Sequence, residues 1–270
     1  MTAVFVLAVA LVGAVVVGPL LNHAITWWIG WRVVVPPLLG RVPAPGELGH
    51  ARARCPACDA SLAPAGLPAR PATALRGRCA SCRGRLPRWL ALVEMVTAAL
   101  FALAAAVIGP HLVLVPILCW LAGLIAMSAV DIGVMRIPTR FVYVTGAVVT
   151  AGLVVVSLVD GTPRRLYGAV LGALLYGGML LVLHLISPRM LGFGDVRLAT
   201  LVGLVVGWCG WEAVYPRLGP VQAVLNAGLL AGLIGSVAGV VLLIQRRRDR
   251  PFPFGPAVAI SGVFVALAVL

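Results

Sequence analysis

Residues 111–131 read HLVLVPILCWLAGLIAMSAVD, a run of twenty residues without a formal charge that ends in an aspartate. An α-helix needs about 20 predominantly apolar residues to cross the hydrocarbon core of a bilayer. Seven similar apolar runs occur along the chain, near residues 3–21, 90–109, 141–159, 166–186, 198–215, 223–244 and 252–270. The sequence therefore predicts an all-α integral membrane protein with about eight transmembrane helices.

The composition excludes most other classes of protein. Hydrophobic residues make up 61% of the 270 residues and charged residues only 11%, whereas a soluble domain carries about 25% charged residues. Six cysteines are too few for a disulfide scaffold of this length. The net charge is +13, but the basic residues lie between apolar runs. We therefore expect contacts with membrane lipids and none with nucleic acid.

The distribution of arginine predicts how the chain is oriented. All 21 basic residues are arginines, and 18 of them fall in segments that eight spans would place on one side. The three on the opposite side are Arg164, Arg165 and Arg217. Cytoplasmic loops carry an excess of basic residues, so we expect the arginine-rich side to be cytoplasmic and both termini to be outside.

The predicted organisation has three parts. A first transmembrane anchor covers residues 1–21, a hydrophilic cytoplasmic loop covers 22–89, and a seven-helix core covers 90–270. The loop is rich in Pro, Ala, Gly and Arg and poor in apolar runs. It is therefore too small and too polar to fold around a core of its own.

Four cysteines in this loop have the spacing of a zinc site. They form two Cys-x2-Cys pairs, Cys55/Cys58 and Cys79/Cys82, with 20 residues between the pairs. Each pair places two thiolates on one tight turn, and two such turns complete a tetrahedron around Zn²⁺. The cytoplasm disfavours disulfides, and a loop without a core gains folding free energy from a metal. The sequence predicts a zinc-binding loop, with paired disulfides or unrelated thiols as the alternative.

Two aspartates lie where predicted spans meet the cytoplasmic surface. Asp131 ends the third span, and Asp195 lies in the stretch GFGDV (192–196) at the start of the sixth. Carboxylates at this depth are costly and are functional candidates for that reason. If they share a site, one would act as general base on a water while the other, protonated, would polarise a scissile carbonyl. The residues alone leave two alternatives open: ion or proton coupling in a transporter, or separate aspartates paired with Arg136 and Arg197.

The fifth predicted span holds small and polar residues that need an explanation. Gly172, Gly177 and Gly178 fit close packing between membrane helices. His184 lies near the cytoplasmic end of the same span. We interpret it as a hydrogen-bonded histidine of the bundle, with a role beside the aspartates as the alternative.

Three blocks of motifs follow one another along the chain. The first block consists of Arg54-Cys55-Pro56-x-Cys58, Leu75-Arg76-Gly77-Arg78-Cys79-x-x-Cys82, and Leu92-Val93-Glu94 with Thr97 and Ala98. The second is Asp131 followed by Ile137-Pro138, and the third is Gly192-Phe193-Gly194-Asp195-Val196-Arg197-Leu198. Together the blocks cover most of the chain, and in this order they resemble the bacterial prepilin peptidases, a family of GxGD-type membrane aspartic proteases.

The resemblance implies an endopeptidase of the bacterial cytoplasmic (inner) membrane, with Asp131 and Asp195 as the catalytic pair at the cytoplasmic face. The supporting positions of the same motifs are Gly192, Gly194 and Pro138. The implied substrates are prepilin or pseudopilin precursors with a short basic leader. Similar proteins also N-methylate the new amino terminus with S-adenosylmethionine. On this basis we expect Glu94 on the methyl-transfer side, in the region associated with the zinc loop.

The chain departs from the family pattern mainly in its N-terminal half. Trp89-Leu90 stands where the family usually has Tyr-Pro, and Gly18-Pro-Leu-Leu-Asn22 keeps only the ends of a Gly-Ser-Phe-x-x-Asn-like stretch. Farther along, Thr139 stands where an acid usually follows Ile-Pro. Because the N-terminal half is linked to methylation in this family, a peptidase without methyltransferase activity is an alternative. The sequence predicts no oligomeric state.

Overall fold

The computed structural model describes residues 2–29, 78, 81–83, 88–188, 191–212, 219–244 and 253–270. Every secondary-structure element of more than one residue within these ranges is a helix or a helical turn. The elements are α1 (Thr2–Val12), a π-helical turn (Gly13–Val17), α2 (Gly18–Ile29), α3 (Arg88–Ile108), α4 (Leu114–Val134), α5 (Thr139–Val159), α6 (Arg165–Ile186), α7 (Phe193–Cys209), a 3-10 turn (Gly210–Glu212), α8 (Gly219–Ile244) and α9 (Gly255–Val269).

Six helical segments among the described residues are long and apolar enough to cross a membrane. They are Ala3–Ile25, Ala91–Ile108, Leu114–Val134, Thr139–Val159, Arg165–Ile186 and Gly219–Val240. Helices α7 and α9 have 17 and 15 residues, and at 1.5 Å per residue they are shorter than a hydrocarbon core of about 30 Å. The prediction of an all-α membrane protein is confirmed, whereas the count of eight spans stays a prediction.

The chain divides into two compact units. The first comprises residues 1–114 and 121–134, and the second comprises residues 115–120 and 135–270. The first unit therefore contains α1 to α3 and most of α4, and the second contains α5 to α9. Asp131 and Glu94 belong to the first unit, and Asp195 belongs to the second.

In the first unit, one unbroken helical rod packs against α3. The rod runs from Thr2 to Ile29, so it continues eight residues beyond residue 21, where the hydropathic run ends. Two glycines allow the close approach to α3: a Cβ at Gly13 would lie 3.1 Å from the ring of Phe101, and one at Gly18 would lie 2.9 Å from Cγ of Glu94. Asn22 consequently lies within a helix and not in a loop.

In the second unit, α7 is the central helix, because 12 of its 17 residues are buried. Its closest neighbour is α6, which runs antiparallel to it. A Cβ at Gly168 would lie 2.6 Å from the carbonyl oxygen of Gly207, and one at Gly172 would collide with the carbonyl oxygen of Gly203. Small residues at these positions let the two backbones approach in a way that membrane helices favour.

Polar contacts hold α7 to other helices at its far end. The indole Nε1 of Trp208 donates a hydrogen bond of 2.9 Å to Oγ of Ser157 on α5, and both residues are completely buried. The guanidinium of Arg165 lies over the ring of Trp208, with Cζ 4.6 Å from the ring centroid. The position of α7, which carries Asp195, is therefore fixed by α5 and α6 together.

Candidate active site

The stretch GFGDV folds as the beginning of α7. Gly192 precedes the helix with extended dihedral angles (φ −73°, ψ 149°), and Asp195 occupies the third helical position. The backbone N–H of Gly192 donates to Oδ2 of Asp195 at 3.1 Å, and the N–H of Asp195 donates to the carbonyl of Gly192 at 3.0 Å. The carboxylate of Asp195 therefore makes one half of a capping box, in which the third helical side chain accepts from the N-cap N–H. The other half is absent because Gly192 has no side chain, and the N–H of Asp195 bonds to the backbone carbonyl instead.

Asp195 is held by one carboxylate oxygen. The residue is only 9% exposed, and Oδ1 accepts no hydrogen bond from any described residue. The positive end of the α7 dipole stabilises a negative charge at this position. The fixed Oδ2 orients the carboxyl group, and Oδ1 is left to contact a water or a substrate.

Glycine at position 194 lets α7 begin directly against the chain that leads into α5. A Cβ on Gly194 would lie 3.1 Å from Cβ of Ile137, which is tighter than a normal contact. Ile137 precedes Pro138, the residue that caps α5. The two motifs that the sequence analysis singled out, Ile137-Pro138 and the GFGDV stretch, therefore meet within the second unit.

Arg197 does not pair with Asp195. Its Nη1 donates to Oγ1 of Thr139 at 2.6 Å, and its Cζ lies 4.7 Å from the ring centroid of Phe193. The alternative in which Arg197 neutralises Asp195 is therefore wrong. Hydrophobic periodicity gave no signal for the contact between Arg197 and Thr139, because it joins two helix starts 58 residues apart.

Asp131 lies in the last turn of α4, three residues before that helix ends at Val134. The residue is 5% exposed. A carboxylate in the last turn of a helix faces the negative end of the helix dipole, and burial adds a further cost. The chain turns sharply straight after the helix, since Met135 has a positive φ of 53°. Such a costly placement is what we expect of a functional carboxylate.

A second buried carboxylate, Glu94, lies in the first unit. Nδ2 of Asn22 donates to its Oε1 at 3.1 Å, and Cα and Cγ of Glu94 press against Gly18. Glu94 is 2% exposed, and its Oε2 has no hydrogen-bond partner among the described residues. Gly18 and Asn22 are the two positions that this chain keeps from the Gly-Ser-Phe-x-x-Asn-like stretch of the family. In the structure both of them contact Glu94.

Three of the four predicted zinc ligands, Cys55, Cys58 and Cys79, lie outside the described residues. Cys82 is described, and its side chain is exposed. The next residue, Arg83, has a positive φ of 57°, so the chain turns tightly after the cysteine. Within the part of the chain that the structure describes, no cluster of three or more metal-ligating side chains occurs.

These features define a class: an all-helical, multi-pass membrane protein with buried carboxylates near the ends of its helices. Comparison with known proteins then gives the family. The sequence model of the "Type IV leader peptidase family" matches residues 117–244, and that of the "Bacterial Peptidase A24 N-terminal domain" matches residues 31–108. This chain belongs to the type IV leader peptidase family. The first match contains both Asp131 and Asp195, and the second contains Glu94 and the four cysteines of the predicted zinc site.

Curated relatives agree with this assignment. Proteins named "Prepilin leader peptidase/N-methyltransferase" include one from Burkholderia pseudomallei (strain 1026b) that is 34% identical over 227 residues, covering 82% of this chain and 68% of the relative. One from Bacillus subtilis is 30% identical over 230 residues, covering 84% and 86%. One from Pseudomonas aeruginosa is 29% identical over 273 residues, covering 96% and 88%. No solved structure matches the chain. The prediction of the prepilin peptidase family is confirmed, and the transporter alternative is not favoured.

Proposed function

We propose that this chain removes the short basic leader from prepilin or pseudopilin precursors at the membrane and then N-methylates the new amino terminus. The observation that carries the proposal is the family match over both halves of the chain, 31–108 and 117–244. The names of the curated relatives join the same two activities. The substrates follow from the family and are prepilin-like proteins.

For cleavage, we assign Asp131 and Asp195 as the two carboxyl groups of an aspartic peptidase. One carboxylate removes a proton from a water molecule, and the other, protonated, donates a hydrogen bond to the scissile carbonyl. Water attack on that carbonyl gives a tetrahedral intermediate without a covalent enzyme intermediate. The carboxyl group that accepted the proton from water then protonates the amide nitrogen, the C–N bond breaks, and the leader leaves as a carboxylic acid while the mature protein gains a free amino terminus. The arrangement of Asp195 supports this role, because one oxygen is held by Gly192 and the other is available.

For methylation, we assign Glu94 to the N-terminal part of the chain that performs it. S-adenosylmethionine supplies a methyl group when it is bound. The carboxylate of Glu94 fits a ligand with a cationic or hydroxyl group, since Oε2 is buried without a partner among the described residues. Asn22 holds the other oxygen and so fixes the direction in which Oε2 points.

The zinc site and the topology are further parts of the proposal. Cys55, Cys58, Cys79 and Cys82 would hold one structural Zn²⁺ through four thiolates, and the tight turn after Cys82 is compatible with a metal-binding knuckle. We also propose the cytoplasmic (inner) membrane, eight spans, external termini and a cytoplasmic active site. The arginine distribution supports this orientation. The first anchor then extends past the predicted boundary at residue 21 to Ile29, and the core begins at Arg88, with the proposed loop between them.

The test is the intact mass of a prepilin-like substrate with a basic leader after incubation with purified protein, with and without S-adenosylmethionine. We expect the wild type to remove the leader and add one methyl group. Asp131→Asn and Asp195→Asn should each lower the cleavage rate by about 10²- to 10⁴-fold. Asp160→Asn is the matched control, because Asp160 is exposed at the end of α5. Glu94→Gln should retain leader removal and lose methyl addition.

The outcomes separate the parts of the proposal. If Asp131→Asn and Asp195→Asn both cleaved the substrate at the wild-type rate, the assignment of the two aspartates would be contradicted. Leader loss without methyl addition in the wild type would leave a peptidase whose N-terminal half has diverged. An absence of cleavage by the folded wild type on several prepilin-like substrates would contradict the peptidase function itself.

A further inference from the structure

The first turns of α7 take part in a stack of side chains from α5, α6 and α7. The ring of His184, near the end of α6, lies 5.6 Å from the ring of Phe193, centroid to centroid. On α7 itself, the guanidinium Cζ of Arg197 lies 4.7 Å from the centroid of Phe193 and 5.8 Å from that of Tyr143 on α5. Aromatic pairs and cation–π contacts of this kind are attractive. The stack therefore joins the start of α7 to the start of α5 and to the end of α6.

A hydrogen bond from α6 fixes the residue immediately before the turn. Nδ1 of His184 lies 2.7 Å from the carbonyl oxygen of Leu191. A carbonyl oxygen only accepts, so Nδ1 of His184 carries the hydrogen and donates it. Leu191 is buried and directly precedes Gly192. His184 consequently anchors the chain directly before Gly192, whose N–H holds the carboxylate of Asp195.

A second hydrogen bond fixes the turn from the side of α5. Nη1 of Arg197 donates to Oγ1 of Thr139, the first residue of α5, at 2.6 Å. Next to it, Gly194 packs directly on Ile137. The start of α7 is therefore tied to the start of α5 by one polar contact and one apolar contact.

These contacts matter because the backbone of the Gly192–Asp195 turn is intrinsically flexible. Two of the four residues from Gly192 to Asp195 are glycines, and glycine has more backbone freedom to lose than any other residue. Phe193, between the glycines, is 47% exposed, so its position depends strongly on its contacts with His184 and Arg197. A catalytic group displaced by about 1 Å costs on the order of 10²-fold in rate.

We propose that His184 and Thr139 are positioning residues of the peptidase, which hold the Gly192–Asp195 turn and thereby the carboxyl group of Asp195. His184 acts through the carbonyl of Leu191 and through Phe193, and Thr139 acts through Arg197. The proposal assigns neither side chain a direct contact with the substrate. The inference rests on the proposed peptidase function for its kinetic consequence, but the restraint on the turn exists whether or not the substrate is a prepilin.

The test uses pairs of variants with matched shape. His184→Leu removes the donor, whereas His184→Asn keeps a donor near the position of Nδ1. Thr139→Val removes the acceptor, whereas Thr139→Ser keeps it. The controls are His111→Leu, at an exposed histidine, and Thr145→Val, on the same helix as Thr139 with no hydrogen bond from its hydroxyl to any described residue.

The kinetic readout is leader cleavage with kcat and KM measured separately. We expect His184→Leu and Thr139→Val each to lower kcat by about 10- to 100-fold, with KM unchanged. His184→Asn and Thr139→Ser should recover most of the rate. Because both residues act on one turn, the double Leu/Val variant should lose less than the product of the two single losses. If His184→Asn and Thr139→Ser lost as much activity as His184→Leu and Thr139→Val, the proposal would be overturned. The loss would then not depend on the hydrogen bonds.

A second readout does not depend on activity. Amide hydrogen exchange over residues 191–197 should be about 2- to 10-fold faster in His184→Leu and in Thr139→Val, as expected for the loss of one hydrogen bond. The Asn, Ser and control variants should exchange like the wild type. Unchanged exchange in both the Leu and Val variants would overturn the proposal. Faster exchange together with a wild-type protein that cleaves no prepilin-like substrate would leave the restraint standing and refute the peptidase function.

Discussion

Replacing Gly172 with alanine should separate α6 from α7, because the new methyl group has no space. Its Cβ would collide with the carbonyl oxygen of Gly203 and lie 2.7 Å from Cα of Gly207. Both atoms belong to the backbone of α7, which cannot move aside as a flexible side chain would. Helix α7 is also held from another side, since a Cβ on Gly262 of α9 would collide with Val202.

Gly178 provides a matched control on the same helix. A Cβ at Gly178 would meet no atom of the described residues within 4 Å. The sequence suggested close packing for Gly172, Gly177 and Gly178 alike. The structure supports that interpretation for Gly172 and also for Gly177, whose Cβ would collide with Thr200, but not for Gly178.

The magnitude follows from comparing the two substitutions. In a helix, alanine is favoured over glycine by about 0.5–1 kcal/mol, so Gly178→Ala should raise the free energy of unfolding by about that amount. Gly172→Ala gains the same term and loses about 1–3 kcal/mol to overpacking. Because the helix term is common to both variants, their difference in unfolding free energy isolates the overpacking and should be about 1–3 kcal/mol.

The assay is reversible unfolding in mixed micelles, with the fraction folded followed while the share of denaturing detergent rises. Gly172→Ala should unfold at a lower detergent fraction than the wild type or Gly178→Ala. Equal midpoints and slopes for the two alanine variants would refute the reasoning. They would show that α6 and α7 separate at no cost, and that the glycines are not needed for the close approach.

Three further predictions concern polar groups and the metal. Asn22→Leu removes the hydrogen bond to Glu94 and should lower the free energy of unfolding by about 1–3 kcal/mol; the double variant with Glu94→Leu should recover part of this loss, and a fully stable single variant would contradict the role of the contact. Ser157→Ala leaves the buried Nε1 of Trp208 without its acceptor and should cost about 1–3 kcal/mol in the same unfolding assay, a prediction that fails if the midpoint is unchanged. Elemental analysis should find about one zinc per chain in the wild type and only background in Cys55→Ser, whereas a zinc-free wild type would exclude the metal site.

The positions of the helices could be predicted from hydropathy better than their ends. The sixth apolar run covers 198–215, whereas α7 covers Phe193–Cys209. A hydropathy window excludes Asp195 and Arg197 as polar. In the structure both belong to the first two turns of the helix, where Asp195 accepts from the N–H of Gly192 and Arg197 donates to Thr139. Caps are set by individual hydrogen bonds, and an average over about twenty residues does not detect them.

The candidate carboxylates could be found from the sequence because charges are rare in apolar runs, but their partners could not. Only eight acidic residues occur in the chain, so Glu94, Asp131 and Asp195 stand out. Nothing in the sequence links Glu94 to Asn22, which lies 72 residues away and beyond the end of the first apolar run. The hydrogen bond exists because the first helix continues to Ile29 and because its face is set by an irregular turn.

That irregular turn explains how Gly13, Gly18 and Asn22 come to face the same helix. In a regular α-helix, five residues advance by about 500°, which would leave Gly13 and Gly18 about 140° apart. The N–H of Gly18 instead donates to the carbonyl of Gly13, five residues back, and this wider turn brings both glycines onto α3. One α-helical turn later, Asn22 reaches Glu94. A π turn is rare and is often found at functional sites. We infer that the contacts of Gly18 and Asn22 with Glu94 offset the local cost of the turn. On this view the turn follows from packing around the carboxylate and not from the propensities of residues 13–17.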